Sequence, residues 1–372
     1  MRAWVIALAA VALLAPQAAA SAGRVETLAD RAAIAHGVAG DERYVFVTEP
    51  GAGVAPFGPR VVVLDRFSGR EVAAVPAPPG GFKFPFTLRV PRSGHLVVLD
   101  AGGFPPQGPP VVYDYRYSTA GPRGFRAKLT RKVDFAGQPM GFAEDVEVLP
   151  NGEYVVSESI FGGLWLIGRN GKVRRGLVPD DGAPPLRKLG PCQFPGGGAG
   201  FVGDVPFQAP GGFAPGAGSL AVRGGDLYVS STCEGGIQRV PIRVLLDARR
   251  PAAERAQRIV TVTPRRNPLE SLKGITFNRW DPGDPWIYAG DPFQLQLIRV
   301  HSRTGKREVL SRDARRFNFT VATAFLPPVR RKGPNPLVTT SDQEHRWSAT
   351  NAALGGVDAF QPPFVVAQYW PR

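Results

Sequence analysis

The sequence predicts an all-β fold, a six-bladed β-propeller. A short strand phrase recurs six times, tight turns punctuate it, and few stretches run a dozen residues without Gly or Pro. Gly (45) and Pro (38) supply more than a fifth of the 372 residues, and both are poor in helix interiors. Hydrophobic residues make up 43%, the globular norm, which excludes wholesale disorder.

The phrase is a strand of Val, Tyr, Leu or Ile, then a small or acidic residue, then a turn. Its copies run from Tyr44 to Gly51, Leu96 to Gly103, Tyr154 to Ser159, Leu227 to Cys233, Trp286 to Pro292 and Leu337 to Gln343, roughly 50 to 75 residues apart. Upstream partner strands end in tight turns at Gly94, Asn151-Gly152 and Gly224-Gly225, where glycine supplies the positive φ that hairpins need. Downstream strands follow, as Gly163 to Ile167 and Leu297 to Val300, then Glu71 to Val75 and Arg307 to Leu310. Three to four antiparallel strands repeated six times define a propeller. A pair of β-sandwiches does not require six copies of one phrase. The last strand, Phe364 to Trp370, suits either the final blade or the first.

The N-terminus reads as an address. Met1-Arg2 precedes an apolar run from Ala3 to Ala15 and small residues up to Ala22, the pattern of a secretory signal peptide. A membrane anchor needs about 20 apolar residues, and this run is shorter. The expectation is a signal over 1–22 and one propeller domain over 23–372, secreted or periplasmic. Losing Arg2 lowers the formal charge from +14 to +13. Only eight basic residues are Lys, and the charges are dispersed apart from short runs such as Arg330-Arg331-Lys332. Export argues against nucleic acid as a partner and leaves a small-molecule ligand, an anionic one included, with no stable membrane insertion. Cys192 and Cys233, the only cysteines, are expected to pair in an oxidising compartment. That bridge closes a loop of about 40 residues, pins the Gly/Pro-rich stretch from Pro179 to Gly218, and is worth roughly 3–4 kcal/mol in the chain-entropy model.

The stretch Ala143 to Glu158 resembles the repeat of the SMP-30/gluconolactonase/strictosidine-synthase-like six-bladed propellers, and Lys273 to Phe277 with Ile287 to Asp291 resembles a second copy. The resemblance covers most of the mature chain. It implies a central channel, a divalent cation, usually calcium, held there by Glu, Asn and Asp, and lactonase or related hydrolase activity in many members. Others have no enzymatic role.

Aligning the repeats on their turns brings Glu144-Asp145 and Lys273-Gly274 to the position where that family often carries Asn-Gly. His36-Gly37, Phe86-Thr87, Gly218-Ser219 and Val321-Ala322 fall there more loosely. The channel then holds Glu144, Lys273 and His36 as candidate catalytic residues, with Glu144 and Asp145 as candidate metal ligands. A lysine ammonium on that ring departs from the family pattern, because calcium wants six to eight oxygens. A Glu144–Lys273 ion pair in place of the metal is the expectation, with Glu270 as the other partner for Lys273. The family's Glu-Gly-Pro opening is also missing near residue 36.

The acidic strand ends Glu49, Asp100, Glu158, Asp291 and Asp342 read as turn caps accepting backbone N–H groups, not as a metal ring. His95 and His301 read as surface residues, and the polar cluster Ser341 to Trp347, with His345, as an ordinary loop. No HExxH, GxSxG, P-loop or CxxC pair occurs, so zinc, serine-hydrolase and P-loop chemistry have no support. Two function classes stand. One is a lactonase/esterase-type hydrolase with its site at the channel. The other is a non-enzymatic scaffold that binds a ligand or protein. A lyase of the strictosidine-synthase kind has no specific residue behind it.

Overall fold

A computed structural model describes residues 23–51, 58–118, 124–233, 236–329 and 333–371. The proposed signal over 1–22 and the Arg330-Arg331-Lys332 run lie outside the described residues. Six four-stranded antiparallel sheets are arranged around an axis. Blade 1 is Val38–Gly40, Tyr44–Glu49, Arg60–Asp65 and Glu71–Ala74; blade 2 is Pro85–Arg92, His95–Asp100, Val111–Ser118 and Arg126–Asp134. Blade 3 is Ala143–Val148, Tyr154–Glu158, Gly163–Ile167 and Val173–Leu177. Blade 4 is Ala217–Arg223, Asp226–Ser231, Gly236–Pro241 and Val260–Thr263, and blade 5 is Lys273–Phe277, Trp286–Asp291, Gln296–His301 and Arg307–Arg312. In each, the chain runs from the inner strand outwards.

Blade 6 breaks that order. Thr320–Phe325, Leu337–Ser341 and Phe364–Trp370 come from the C-terminal part, and Arg24–Arg31 supplies the outermost strand. Phe364–Trp370 therefore completes the final blade, and the N-terminal strand closes the ring, with Arg24 opposite Trp370 and Arg31 opposite Phe364.

All six recurring phrases are second strands. The blade 1, 3 and 6 copies are buried along their whole length, being covered on both faces by neighbouring blades. Outer strands face water, and Arg126–Asp134 alternates exposed and half-buried residues accordingly. Between blades 2 and 3, Val97, Leu99, Val146, Val156 and Trp165 form one apolar layer. Gly152 and Gly224 carry φ of 80° and 58°, as their hairpin turns demand.

Hydrogen bonds stitch every seam near the axis. Thr48 Oγ1 donates to Phe86 O (2.8 Å), and Arg89 Nη2 to Asp145 Oδ2 (2.5 Å). Ser157 Oγ donates to Gly218 O (2.6 Å), and Gly274 N to Ser219 Oγ (2.8 Å). Thr323 Oγ1 donates to Gly274 O, and Thr340 Oγ1 to His36 O, which returns the circuit to blade 1.

The excursion between blades 3 and 4 forms a cap. Cys192–Gln193 pairs with Phe213–Ala214, and Ala199–Val202 pairs with Val205–Gln208. The Cys192–Cys233 disulfide forms, with Cα atoms 5.7 Å apart, and ties the cap to blade 4. On the far side Asn351 Nδ2 donates to Pro206 O (2.8 Å) and Gln208 N donates to Asn351 Oδ1 (2.9 Å). Replacing both cysteines by Ser is expected to cost roughly 3–4 kcal/mol. Hydrogen exchange should quicken in 191–216 and stay unchanged in the blades; uniform quickening would contradict a local role.

Candidate functional site

Five of the six inner strands are irregular at one end. Their registers shift at Pro85/Thr87, Ala143/Asp145, Ala217/Leu220, Lys273/Thr276 and Thr320/Ala322. Such bulges re-aim side chains. Here they bring side chains to a cavity of about 240 Å³ between one mouth of the channel and the cap. The walls are apolar, with Phe86, Phe142, Phe207, Phe293, Phe319 and Trp347 among them. Three charged groups enter: Glu144 from blade 3, Lys273 from blade 5 and Glu344 from the loop after the second strand of blade 6.

Lys273 Nζ donates to Glu344 Oε2 at 2.5 Å and sits 5.6 Å from the centre of the Phe319 ring. The expected Lys273 partners, Glu144 and Glu270, are corrected. Glu270 pairs with Arg307, and Glu144 accepts from Ser159 Oγ (3.2 Å) while remaining an electrostatic neighbour of the ammonium. Burial alone would lower the Lys273 ammonium, but Glu344 and Glu144 outweigh it and hold the value raised. Burial pushes Glu144 up to about 7, opposed by Lys273 and reinforced by Glu344.

His36 lies one layer deeper, stacked under the Phe86 ring at 3.7 Å and 3% exposed. Its Nδ1 lies 2.8 Å from Asp342 Oδ2. Burial drives His36 down to about 3, so its ring is neutral, and pushes Asp342 up to about 7. Asp342 Oδ1 also accepts from Glu344 N (2.9 Å), which holds the loop that carries Glu344. Glu144, Lys273 and His36 thus belong to one region, with Glu144 and Lys273 on the cavity wall and His36 beneath it. The Ser341 to Trp347 cluster is not an ordinary loop, since Glu344 and Trp347 line the cavity. Its dense polar composition was the available signal.

Asp145 does not join Glu144. The bulge separates the two, and Asp145 is held by Arg89 Nη2 (2.5 Å), Leu220 N (2.7 Å) and Val146 N (2.8 Å). A calcium ion does not fit this donor set. Asp145 is spent on Arg89, an ammonium occupies Glu344, and burial drives Glu144 and Asp342 toward their neutral forms. Among the described residues no group of three His, Cys, Asp or Glu side chains could hold a metal ion. The Glu144–Asp145 metal pair is corrected accordingly.

Three of the acidic strand ends cap backbone as expected. Asp100 accepts from Lys83 N and Phe84 N, Glu158 from Phe142 N, Ile160 N and Gly162 N, and Asp342 from Glu344 N. Glu49 instead accepts from Arg31 Nε (2.8 Å) and Arg60 Nε (2.6 Å), and Asp291 from the Gln296 amide (2.9 Å).

A second cavity, of about 670 Å³, opens at the opposite mouth and shares no lining residue with the first.

No family model and no curated protein matches the sequence. Solved structures do match. A luciferin-regenerating enzyme superposes with a TM-score of 0.54 at 11% identity, over 94% of this chain and 95% of that one. The calcium-binding protein regucalcin from Agrobacterium tumefaciens gives 0.53 at 14%, over 94% and 95%. A gluconolactonase from Xanthomonas campestris gives 0.51 at 12%, over 94% and 90%. The fold is therefore that of the gluconolactonase- and regucalcin-like six-bladed propellers. At this identity the likeness carries architecture, and the chemistry rests on the site.

Proposed function

We propose that the chain is a hydrolase of small, largely apolar lactones or esters, acting outside the cytoplasm without a metal ion. The observation that carries this is Glu144 and Lys273 on the wall of one apolar cavity, the carboxyl poised near neutrality and the ammonium held charged. Glu144 removes a proton from water as its oxygen bonds to the ester carbonyl carbon. Lys273 spends one N–H on Glu344 and offers the others to the developing oxyanion. The ester C–O bond then breaks, and Glu144 returns its proton to the leaving oxygen. The cavity is smaller than the roughly 300–1,000 Å³ usual for drug-sized ligands, which favours small substrates. The leader-like pattern of residues 1–22 and the Cys192–Cys233 bridge support the location.

The test is a screen of γ- and δ-lactones and aryl esters with a chelator present. The active form of Glu144 is the carboxylate, so kcat/KM should rise with pH through about 7. Glu144→Gln should lower kcat by roughly 10²–10⁴-fold and abolish that rise. A variant as active as the parent removes Glu144 as the base. The second reading is binding without turnover, favoured by the Lys273–Glu344 contact that already neutralises the ammonium. Saturable ligand binding with no hydrolysis of any ester would select it.

A further inference from the structure

The cavity at the opposite mouth has a different chemistry. Its floor holds Arg89, neutralised by Asp145 (2.5 Å) and Glu147 (3.0 Å). Its rim holds Arg223 and Arg279, which have only main-chain carbonyls as hydrogen-bond acceptors among the described residues. Arg223 donates to Asp284 O and Pro282 O, and Arg279 to Val90 O, Pro91 O and Gly40 O. Arg279 thus reaches from blade 5 across the mouth to blades 1 and 2. Each guanidinium is oriented by an aromatic ring, Arg223 over Phe277 at 5.0 Å and Arg279 over Trp280 at 4.7 Å. A guanidinium carries five N–H donors, so these carbonyls leave donors on both.

Of the three guanidiniums around this mouth, Arg89 alone is ion-paired among the described residues; Arg223 and Arg279 touch no carboxylate, although Glu147, Glu42 and Asp41 act on Arg279 from a distance. Burial pulls Arg279 below its ordinary value, and Glu147 and Glu42 oppose this only in part. A carbonyl satisfies an N–H group but leaves the positive charge uncompensated.

We propose that this mouth is a second ligand site, which binds a small carboxylate or phosphate anion between Arg223 and Arg279. Guanidinium forks match both anions in bidentate geometry. The site is independent of the hydrolase reading, because the two cavities share no residue.

Isothermal titration of the mature protein with inorganic phosphate, and separately with citrate, in chloride of matched ionic strength tests this. At least one anion should bind with Kd below roughly 10 mM. Arg223→Gln and Arg279→Gln should each weaken it about tenfold or more, and Glu144→Gln at the other mouth should leave it unchanged. Binding of phosphate alone or citrate alone supports the site and identifies the ligand chemistry. Melting curves check that each variant folds; should Arg279→Gln fail to fold, Arg223→Gln decides. Failure of both anions to bind overturns the proposal, as does binding that survives the arginine changes or is lost in Glu144→Gln.

Discussion

A chain lacking residues 23–31 should not form a stable propeller. Its melting temperature should fall by on the order of 10 °C or more, or the protein should aggregate. The missing strand is the outer wall of blade 6, with seven paired positions along Phe364–Trp370. Without it, the buried strand from Phe364 to Trp370 becomes an open edge, and such edges template association. The loss extends into blade 1. Arg31 Nε donates to Glu49 Oε1 (2.8 Å) and Arg31 Nη2 to Glu71 Oε2 (2.6 Å), so removing Arg31 leaves the fully buried Glu49 with less compensation. A synthetic peptide of residues 23–33 added in trans should restore much of the melting temperature. A truncated chain that melts like the parent would falsify the closing role of this strand.

Replacing Lys273 by Met should be the most damaging single change at the site. Lys273 is the only cation facing Glu344 and Glu144 in the cavity among the described residues, and its side chain is 14% exposed. Removing one partner of a buried pair costs about 3–5 kcal/mol. In a domain of this size that is a fall of roughly 5–10 °C in melting temperature. The deficit should depend on pH in a defined direction. Without the ammonium, the folded-state value of Glu144, already raised by burial, rises further above that of the unfolded chain. The variant's deficit therefore grows as pH rises above the ordinary carboxylate range and shrinks on acidification, when Glu144 takes up a proton in either state. Lys273→Arg should recover most of the stability. Under the hydrolase reading, the same Met variant loses roughly 10²–10³-fold in kcat. A variant with unchanged melting and no pH-dependent deficit would show that the pair contributes nothing.

What could be read in the residues, and what could not, follows from distance along the chain. The second strands were legible because they are buried on both faces and so read as uninterrupted apolar runs, each ended by a turn. The glycine turns were legible because positive φ restricts which residues fit. Arg24–Arg31 was not recognised as a strand. Its sequence is half-buried, mixed in character and paired with residues at the other end of the chain. Glu344 lies 71 residues from Lys273, and no spacing rule connects them. The bulge between Ala143 and Asp145 is one residue long, yet it decides which of two adjacent acids faces the cavity. Glu49 departed from the capping pattern because the N-terminal strand brings Arg31 against it.

The cavity of about 240 Å³ lies between the cap and the ring of inner strands, with His36 stacked on its Phe86 wall and paired with Asp342. A space of that size holds one small molecule at a time. Under the hydrolase reading, a product that lingers there excludes the next substrate, and inhibition by product should be competitive. On that reading the pace is set as much by how readily the space empties as by the bond that breaks inside, and the cap, whose Phe194, Phe207 and Phe213 line it, bears on that step.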